Sequence, residues 1–423
     1  MWRASRDDFV NAVPQITLVV PGRWHAFELA RELNQLGALH RIVTNYPKSR
    51  TRRWGIPDDK VISLPLTLLL TKLAWRLGGE SLAMKLQFRI NDLFARRAAR
   101  HLGQPDLVHA WAGAAEPSLN VARRNGIPSV LERSSSHMME QSRLLRREHT
   151  ALGLRWVETP TLTVERELRE YNLADQVFVP SRFVWRTFAA LGFPLERLFR
   201  NGFGVDVSLF RPAPKNDGVF RVIFAGSLSV RKGIHHLVAA FRQAAIAGSE
   251  LLLVGGAGAD TARLIGPADP AIRLVGHVPQ AELPAVYQRA SVFVMASIEE
   301  GQAMVQAQAL ACGLPLVCTS HTGGEDFLML DGEGREIAPG VREFSAGFVV
   351  PAGEPDALAF VLARLAADPV RTTAMRQAAV LLARRDLSWR RYAAANLERY
   401  RKIIAARQTV AHPARVSSAD ILA

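Results

Sequence analysis

Short runs of aliphatic and β-branched residues alternate with longer helical patterns along most of the chain, and this alternation restricts the fold more than any other feature. Ile16–Val20 and residues 41–44, 107–110, 129–131 and 176–179 read as buried strands in the first half. Residues 220–224, 250–254, 272–275, 292–295 and 316–319 read the same way in the second. Helical patterns such as 25–36, 234–247 and 303–311 lie between them. Continuously apolar strands are strands covered on both faces, and strand–helix alternation predicts parallel sheets with helices on either side. The pattern repeats too often for one sheet, so two such sheets are expected.

The interruption falls at residues 210–218 (FRPAPKNDG), where two prolines, a glycine and polar residues break the periodicity. The charge changes sign at the same place. The whole chain of 423 residues has 53 Lys and Arg against 39 Asp and Glu, a formal net charge of +14. Residues 1–212 hold 31 basic and 20 acidic side chains, residues 213–383 hold 13 and 16, and residues 384–423 hold 9 and 3. We therefore expect a first domain over 1–212, completed by a C-terminal helix over 386–407, a second domain over 213–385, and a mobile tail over 408–423. A basic half suits nucleic acid, anionic lipid or a phosphorylated substrate. Two cysteines, Cys312 and Cys318, exclude a disulfide framework or a Cys-rich zinc centre, and both read as buried thiols. Asp7, Asp8 and Pro14 argue against a signal peptide at the start. The apolar stretch 61–70 has ten residues before Lys72, about half of a membrane span.

Two strand–loop–helix junctions could carry chemistry. In VFVMASIEEGQAMVQAQALACGLPLVCT, a strand leads through Glu299, Glu300 and Gly301 into a helix. The unpaired N–H groups and dipole of a helix start favour a phosphate, and Glu300 could accept hydrogen bonds from sugar hydroxyls. In FRVIFAGSLSVRKGIHHLVAAF, Gly226, Arg231, Lys232 and Gly233 lie between strand and helix, so both cations would face a ligand beyond the strand end. Alone, each junction is equally a solvated turn. The GGAGAD stretch, 255–260, lacks the third glycine of a dinucleotide fingerprint, and no Walker A spacing, D-x-D, H-E-x-x-H or Cys/His ligand set occurs. No metal site is expected.

In combination these segments resemble the family-4 retaining glycosyltransferases of the GT-B fold. The resemblance is carried by AGSLSVRKG, by GHVPQAELPAVYQRA, by EGQAMVQAQALACGLP and by GVDVSLFRP at residues 204–212, and it covers roughly residues 15–405. It implies an α/β fold of two Rossmann-like parallel-sheet lobes with a cleft between them, the first binding acceptor and the second a nucleotide sugar. Lys232 would neutralise the donor diphosphate and Glu300 would hold hydroxyls of the transferred sugar. The implied donor set is Gly226, Ser227, Arg231, Lys232, His277, Val278, Glu300, Gly301, Gln302, Ala303, Met304 and Gln308. Two positions depart from the family pattern. Its second Glu is Gln308, and the Arg that commonly follows the strand-end glycine is Ser227; Arg231 could replace that cation. In the first lobe, LVVPGRWHAFELARELNQLG puts Gly22, Arg23, Trp24 and His25 on the acceptor side, PDLVHAWAG adds His109, and SVLERSSSHMMEQ offers His137 as a catalytic cleft residue.

The resemblance implies transfer of a sugar, with retention, from a nucleotide diphosphate sugar to an acceptor hydroxyl, without a metal or another cofactor and with UDP or GDP as the expected base. A glycan or lipid-linked acceptor, bacterial surface glycan synthesis, an anionic membrane partner, no specific nucleic acid, and a place at the cytoplasmic face of the membrane complete the expectation. A GT-B nucleotide-sugar epimerase and a non-enzymatic basic adaptor for membrane or nucleic acid remain as alternatives.

Overall fold

A computed structural model describes residues 13–411. The N-terminal residues read above for a leader, and most of the expected tail, lie outside them. The chain divides into two compact units: one holds the residues up to Glu132, Pro160–Phe178 and those from Ala393; the other holds Arg133–Thr159 and Val179–Tyr392.

In the first unit, β1 (Ile16–Val20), β2 (Leu39–Thr44), β3 (Val61–Ser63), β4 (Leu107–Trp111), β5 (Ser129–Glu132) and β6 (Gln176–Val179) lie parallel in the order β3-β2-β1-β4-β5-β6. β1, β4 and β5 are buried at every position, as their unbroken aliphatic runs require. Leu66–Ala98 is helical but breaks at Gly78 and Gly79, whose backbone leaves the helical region. The closing helix Trp389–Ala411 enters this unit from Ala393, where Tyr400 stacks on Phe178 at 5.7 Å.

The second unit carries a short strand β7 (Leu198–Arg200) and an eight-stranded sheet. That sheet comprises β8 (Arg221–Ala225), β9 (Glu250–Val254), β10 (Ile272–Gly276), β11 (Val292–Met295), β12 (Leu316–Thr319), β13 (Arg335–Ala338), β14 (Val341–Phe344) and β15 (Gly347–Val350), in the order β10-β9-β8-β11-β12-β15-β14-β13. β13 and β14 are antiparallel additions at one edge that the apolar pattern does not announce. Phe224, Phe293, Phe348 and Tyr287 fill its core, and Cys312 and Cys318 are buried free thiols that burial pushes up to about 12.

The units do not follow the division read at residues 210–218. Residues 133–159 and 179–212 group with the second unit through hydrogen bonds from Ser136 and Gln141 to Glu299, from Ser181 Oγ to the Gly301 carbonyl, and from the Phe203 N–H to Gln302. No helix among the described residues is long and apolar enough to cross a membrane.

Candidate functional site: a paired-charge crevice beyond β8 and β11

β8 and β11 are adjacent and parallel, and the strand order reverses between them. In open α/β sheets the crevice outside the carboxyl ends of such a pair is where ligands bind. After β8 the chain passes Gly226 and reaches Arg231, Lys232 and Gly233 before the helix Ile234–Ala244. After β11 it passes Glu299, Glu300 and Gly301 before the helix Met304–Ala311. The loops are pressed together: the Ile298 N–H donates to the Arg231 carbonyl at 2.9 Å. Gly233 has φ +64, and a Cβ there would stand 2.0 Å from the Ala296 carbonyl oxygen. Glycine is therefore required after Lys232 for both conformation and space.

The crevice pairs two cations with two carboxylates. Arg231 Nε lies 2.9 Å from Glu299 Oε2, and its Nη2 lies 3.3 Å from Glu300 Oε1. Lys232 Nζ pairs with the other Glu300 oxygen. The two acids differ in kind. Glu299 is fully buried, and it also accepts from the Ser136 N–H at 2.9 Å, Ser136 Oγ at 2.7 Å and Gln141 Nε2 at 2.9 Å. Burial alone would raise its pKa, but the Arg231 charge and these hydrogen bonds hold it down to about 2. Glu300 is partly open, at 12 % side-chain exposure, beside Lys232 at 16 %. Arg231, the most exposed of the four at 35 %, bridges the buried Glu299 and Glu300, whereas Lys232 pairs with Glu300 alone. Neither following helix has a side-chain N-cap, since Gly233 and Ala303 occupy those positions.

A third segment, the SVLERSSSHMMEQ stretch from which His137 was expected, completes the crevice through other residues. A Cβ on Gly301 would fall 1.6 Å from the Ser134 carbonyl oxygen, so the loop 134–136 packs directly on Gly301. Ser135 Oγ lies 3.4 Å from Arg231 Nη2. Ser136 and Gln141 were missed because serines in a polar run carry no distinguishing signal; the contacts exist only once the chain returns to Glu299. His137, expected as a cleft residue, is almost fully buried at the start of a helix. It caps the helix Met138–Ala151, its Nδ1 accepting from the Met139 N–H at 3.3 Å, and its ring meets Phe188 edge-on with 7 % exposure. Burial pushes its imidazole down to about 4.

The remaining donor-side residues fall at several depths. Gly226 donates to the Val254 carbonyl, and Ser227 is exposed beside it. His277 is exposed and Val278 half-buried just after β10. Gln302 is buried and spent on backbone, accepting from the Phe203 N–H at 2.6 Å and donating to the Gly323 carbonyl at 3.1 Å. The Ala303 N–H donates to the Thr322 carbonyl, and Met304 is half-buried at the helix start. Gln308 is 8 % exposed, and its Oε1 accepts from the Tyr287 hydroxyl at 3.4 Å.

In the first unit the strand order reverses between β1 and β4, and Gly22–His25 follow β1. Trp24 is 60 % exposed with φ +41, a conformation that a bulky residue rarely adopts without cause. Arg23 lies over the Trp54 ring at 4.2 Å. His25 and His109 depart from expectation. They are 2 % and 0 % exposed, so they offer no ring to an acceptor. Their Nε2 atoms lie 3.3 and 3.2 Å from the two oxygens of Glu132, and His109 Nδ1 is 2.6 Å from the Tyr400 hydroxyl. β4 is buried on both faces, which leaves His109 no path to the surface.

A family model described as Glycosyl transferases group 1 matches residues 219–368, and one described as Glycosyltransferase Family 4 matches residues 23–209. A GDP-mannose-dependent alpha-mannosyltransferase of Mycobacterium tuberculosis is 28 % identical over 274 residues, which is 61 % of this chain and 65 % of that protein. D-inositol 3-phosphate glycosyltransferase 1 of Catenulispora acidiphila is 26 % identical over 319 residues, 69 % of this chain and 71 % of its own. The matched part of the chain therefore spans about two thirds of the length of these relatives. Among solved structures, sucrose-phosphate synthase from Thermosynechococcus elongatus superimposes with a TM-score of 0.66 at 21 % identity, covering 93 % of this chain and all of the other. HepE of Anabaena, solved with UDP-glucose, gives 0.59 at 16 % identity, covering 94 % and 100 %. These likenesses fix the fold, and the two family models together cover every strand of both sheets except β1. The chain belongs to the family-4 glycosyltransferases and has their GT-B fold of two Rossmann-like lobes.

Proposed function

We propose that the chain transfers a sugar, with retention of anomeric configuration, from a nucleotide diphosphate sugar to an acceptor hydroxyl. The single observation that carries this reading is the Lys232–Glu300 pair at the β8/β11 reversal, with Arg231 bridging Glu300 to the buried Glu299. A diphosphate entering the crevice competes for Lys232 and releases Glu300 to accept hydrogen bonds from sugar hydroxyls. As the glycosidic bond to phosphate breaks, negative charge grows on the leaving oxygen, and Lys232 and the helix start at Met304 are already placed to stabilise it. The leaving phosphate oxygen takes the acceptor proton on the same face, so the chemistry demands no separate general base. The buried, low-pKa His137 is consistent with that.

UDP and GDP are the bases we favour, given a GDP-mannose-dependent relative and a neighbour solved with UDP-glucose. The acceptor we infer is a glycan or lipid-linked hydroxyl at an anionic membrane face on the cytoplasmic side, which would use the positive charge that donor binding does not need. Thermal denaturation with UDP, GDP, ADP and dTDP and their sugars tests the core of this reading. One base series should raise Tm, and Lys232→Ala should abolish the rise; no response to any nucleotide would defeat the proposal. Product analysis with the responding donor then separates transfer from epimerisation, which would release free epimerised nucleotide sugar without acceptor.

A further inference from the structure

A second polar cluster in the same unit takes no part in that chemistry. Glu148 lies near the end of the helix Met138–Ala151, and His235 and His236 lie in the first turn of the helix Ile234–Ala244. One oxygen, Glu148 Oε1, is 2.6 Å from His235 Nε2 and 2.7 Å from His236 Nε2. All three ligand-type atoms lie within 4.8 Å of one another. The rings are 4.0 Å apart and inclined at 43°, so both nitrogens are aimed at one point instead of the rings stacking away from it. Side-chain exposures of 12 to 16 % leave the point shielded yet reachable.

The other ring nitrogen of His235, Nδ1, is buried without a hydrogen-bond partner.

We propose that Glu148, His235 and His236 form a transition-metal site, matched best to Zn2+, that clips the two helices together and leaves a fourth coordination position open. Two imidazole nitrogens and one carboxylate oxygen are a borderline donor set that suits Zn2+ and other late first-row ions, while Mg2+ and Ca2+ prefer all-oxygen shells. Tetrahedral Zn2+ with ligands at about 2.0–2.2 Å separates neighbouring ligand atoms by roughly 3.3 Å, so Glu148 Oε1 needs to part from each nitrogen by less than about 1 Å. The sequence conceals the site because its ligands lie 87 and 88 positions apart. His235 follows Lys232 by three residues, so an ion here fixes the helical turn that begins immediately after the crevice cation. It supplies position and no chemistry.

The test uses the full chain, without a polyhistidine tag and stripped with EDTA. One equivalent of Zn2+ should raise Tm, and Co2+ should give the visible absorption bands of a tetrahedral nitrogen–oxygen site. His236→Ala and Glu148→Gln should each weaken Zn2+ binding at least tenfold, while the exposed His101→Ala should not. The near-isosteric Glu148→Gln keeps the test valid if the histidine variant folds poorly. Absence of Zn2+ binding, an equal response to Mg2+, or full binding by both variants would overturn the assignment.

Discussion

Arg231 and Lys232 are neighbours in sequence and have different duties, and this difference is measurable. Glu299 is completely buried, and Arg231 is its charged partner at 2.9 Å. Removing Arg231 leaves a fully buried carboxylate without its counter-charge, at a cost below the roughly 3–5 kcal/mol of a wholly buried pair because Arg231 is 35 % exposed. Arg231→Ala should therefore lower Tm strongly, even with no nucleotide added. The deficit should shrink on acidification. Without the guanidinium, burial raises the Glu299 pKa, so the carboxyl becomes neutral at a higher pH than in the wild type. The wild-type sign is opposite: its Glu299 pKa of about 2 is below the ordinary 4.5, so that contribution is full above pH 4.5 and fades as the pH falls through 2. Lys232→Ala leaves Glu300 paired with Arg231 at 3.3 Å and should therefore lower Tm less than Arg231→Ala, while lowering kcat/KM by roughly a hundredfold to a thousandfold, the usual loss for one transition-state charge partner. Equal Tm losses in the two variants would contradict this division. The sequence identified Lys232 and Glu300 because each follows a buried strand at a recognisable loop. It could not show which of Glu299 and Glu300 faces inward, since that depends on Ser136 and Gln141 returning from a distant segment.

At the scale of elements, caps between helices are the least legible features. The helix Glu116–Arg124 has no side-chain cap of its own. Its N-terminal N–H groups are satisfied by Glu170 of the helix Thr161–Leu173, which accepts from Gly113, Ala115 and Glu116 at 2.6, 2.7 and 3.0 Å. Burial raises the Glu170 pKa to about 7 despite these bonds. A folded value above the ordinary 4.5 means that the contribution is full below pH 4.5 and is lost as the pH rises through 7. Tm followed from pH 4.5 to 7.5 should carry a declining component that Glu170→Gln removes. The amide also replaces one accepting oxygen with a donor, leaving a backbone N–H unpaired at a cost of about 1–3 kcal/mol. A pH slope unchanged in Glu170→Gln would count against this assignment. Strands built from unbroken aliphatic runs were readable because burial on both faces demands that composition. β3 and the β13–β14 hairpin were not, since short or edge strands keep polar residues and borrow their register from neighbours.

At the scale of the whole molecule, the charge of +14 remains larger than the crevice can use, because Arg231 and Lys232 are already matched by Glu299 and Glu300. The excess has a setting in the first unit. Along the helical segment Leu66–Ala98, Leu69, Leu73, Trp75 and Leu77 are 47 to 72 % exposed, while Lys72 and Arg76 are exposed among them. Arg96, Arg97 and Arg100 are exposed towards and just beyond its end, with Arg96 also held by Asp92. Apolar side chains that enter a membrane interface beside cations facing anionic headgroups are the composition of a surface-bound helix, each cation near the surface contributing about 1 kcal/mol. The glycine pair at 78 and 79 breaks the segment, so the exposed leucines lie on the first of two helical pieces. The full chain should therefore sediment with vesicles containing anionic lipid and not with neutral ones, and salt should weaken the association. Neutralising Arg96, Arg97 and Arg100 should reduce it in proportion to charge, whereas Leu69→Asp with Leu77→Asp should abolish it at any salt concentration. Because none of these residues touches the Lys232–Glu300 crevice, both variants should keep the nucleotide-induced rise in Tm. Vesicle binding unchanged in both would remove the membrane from the proposed acceptor side and leave the positive charge to a soluble anionic glycan.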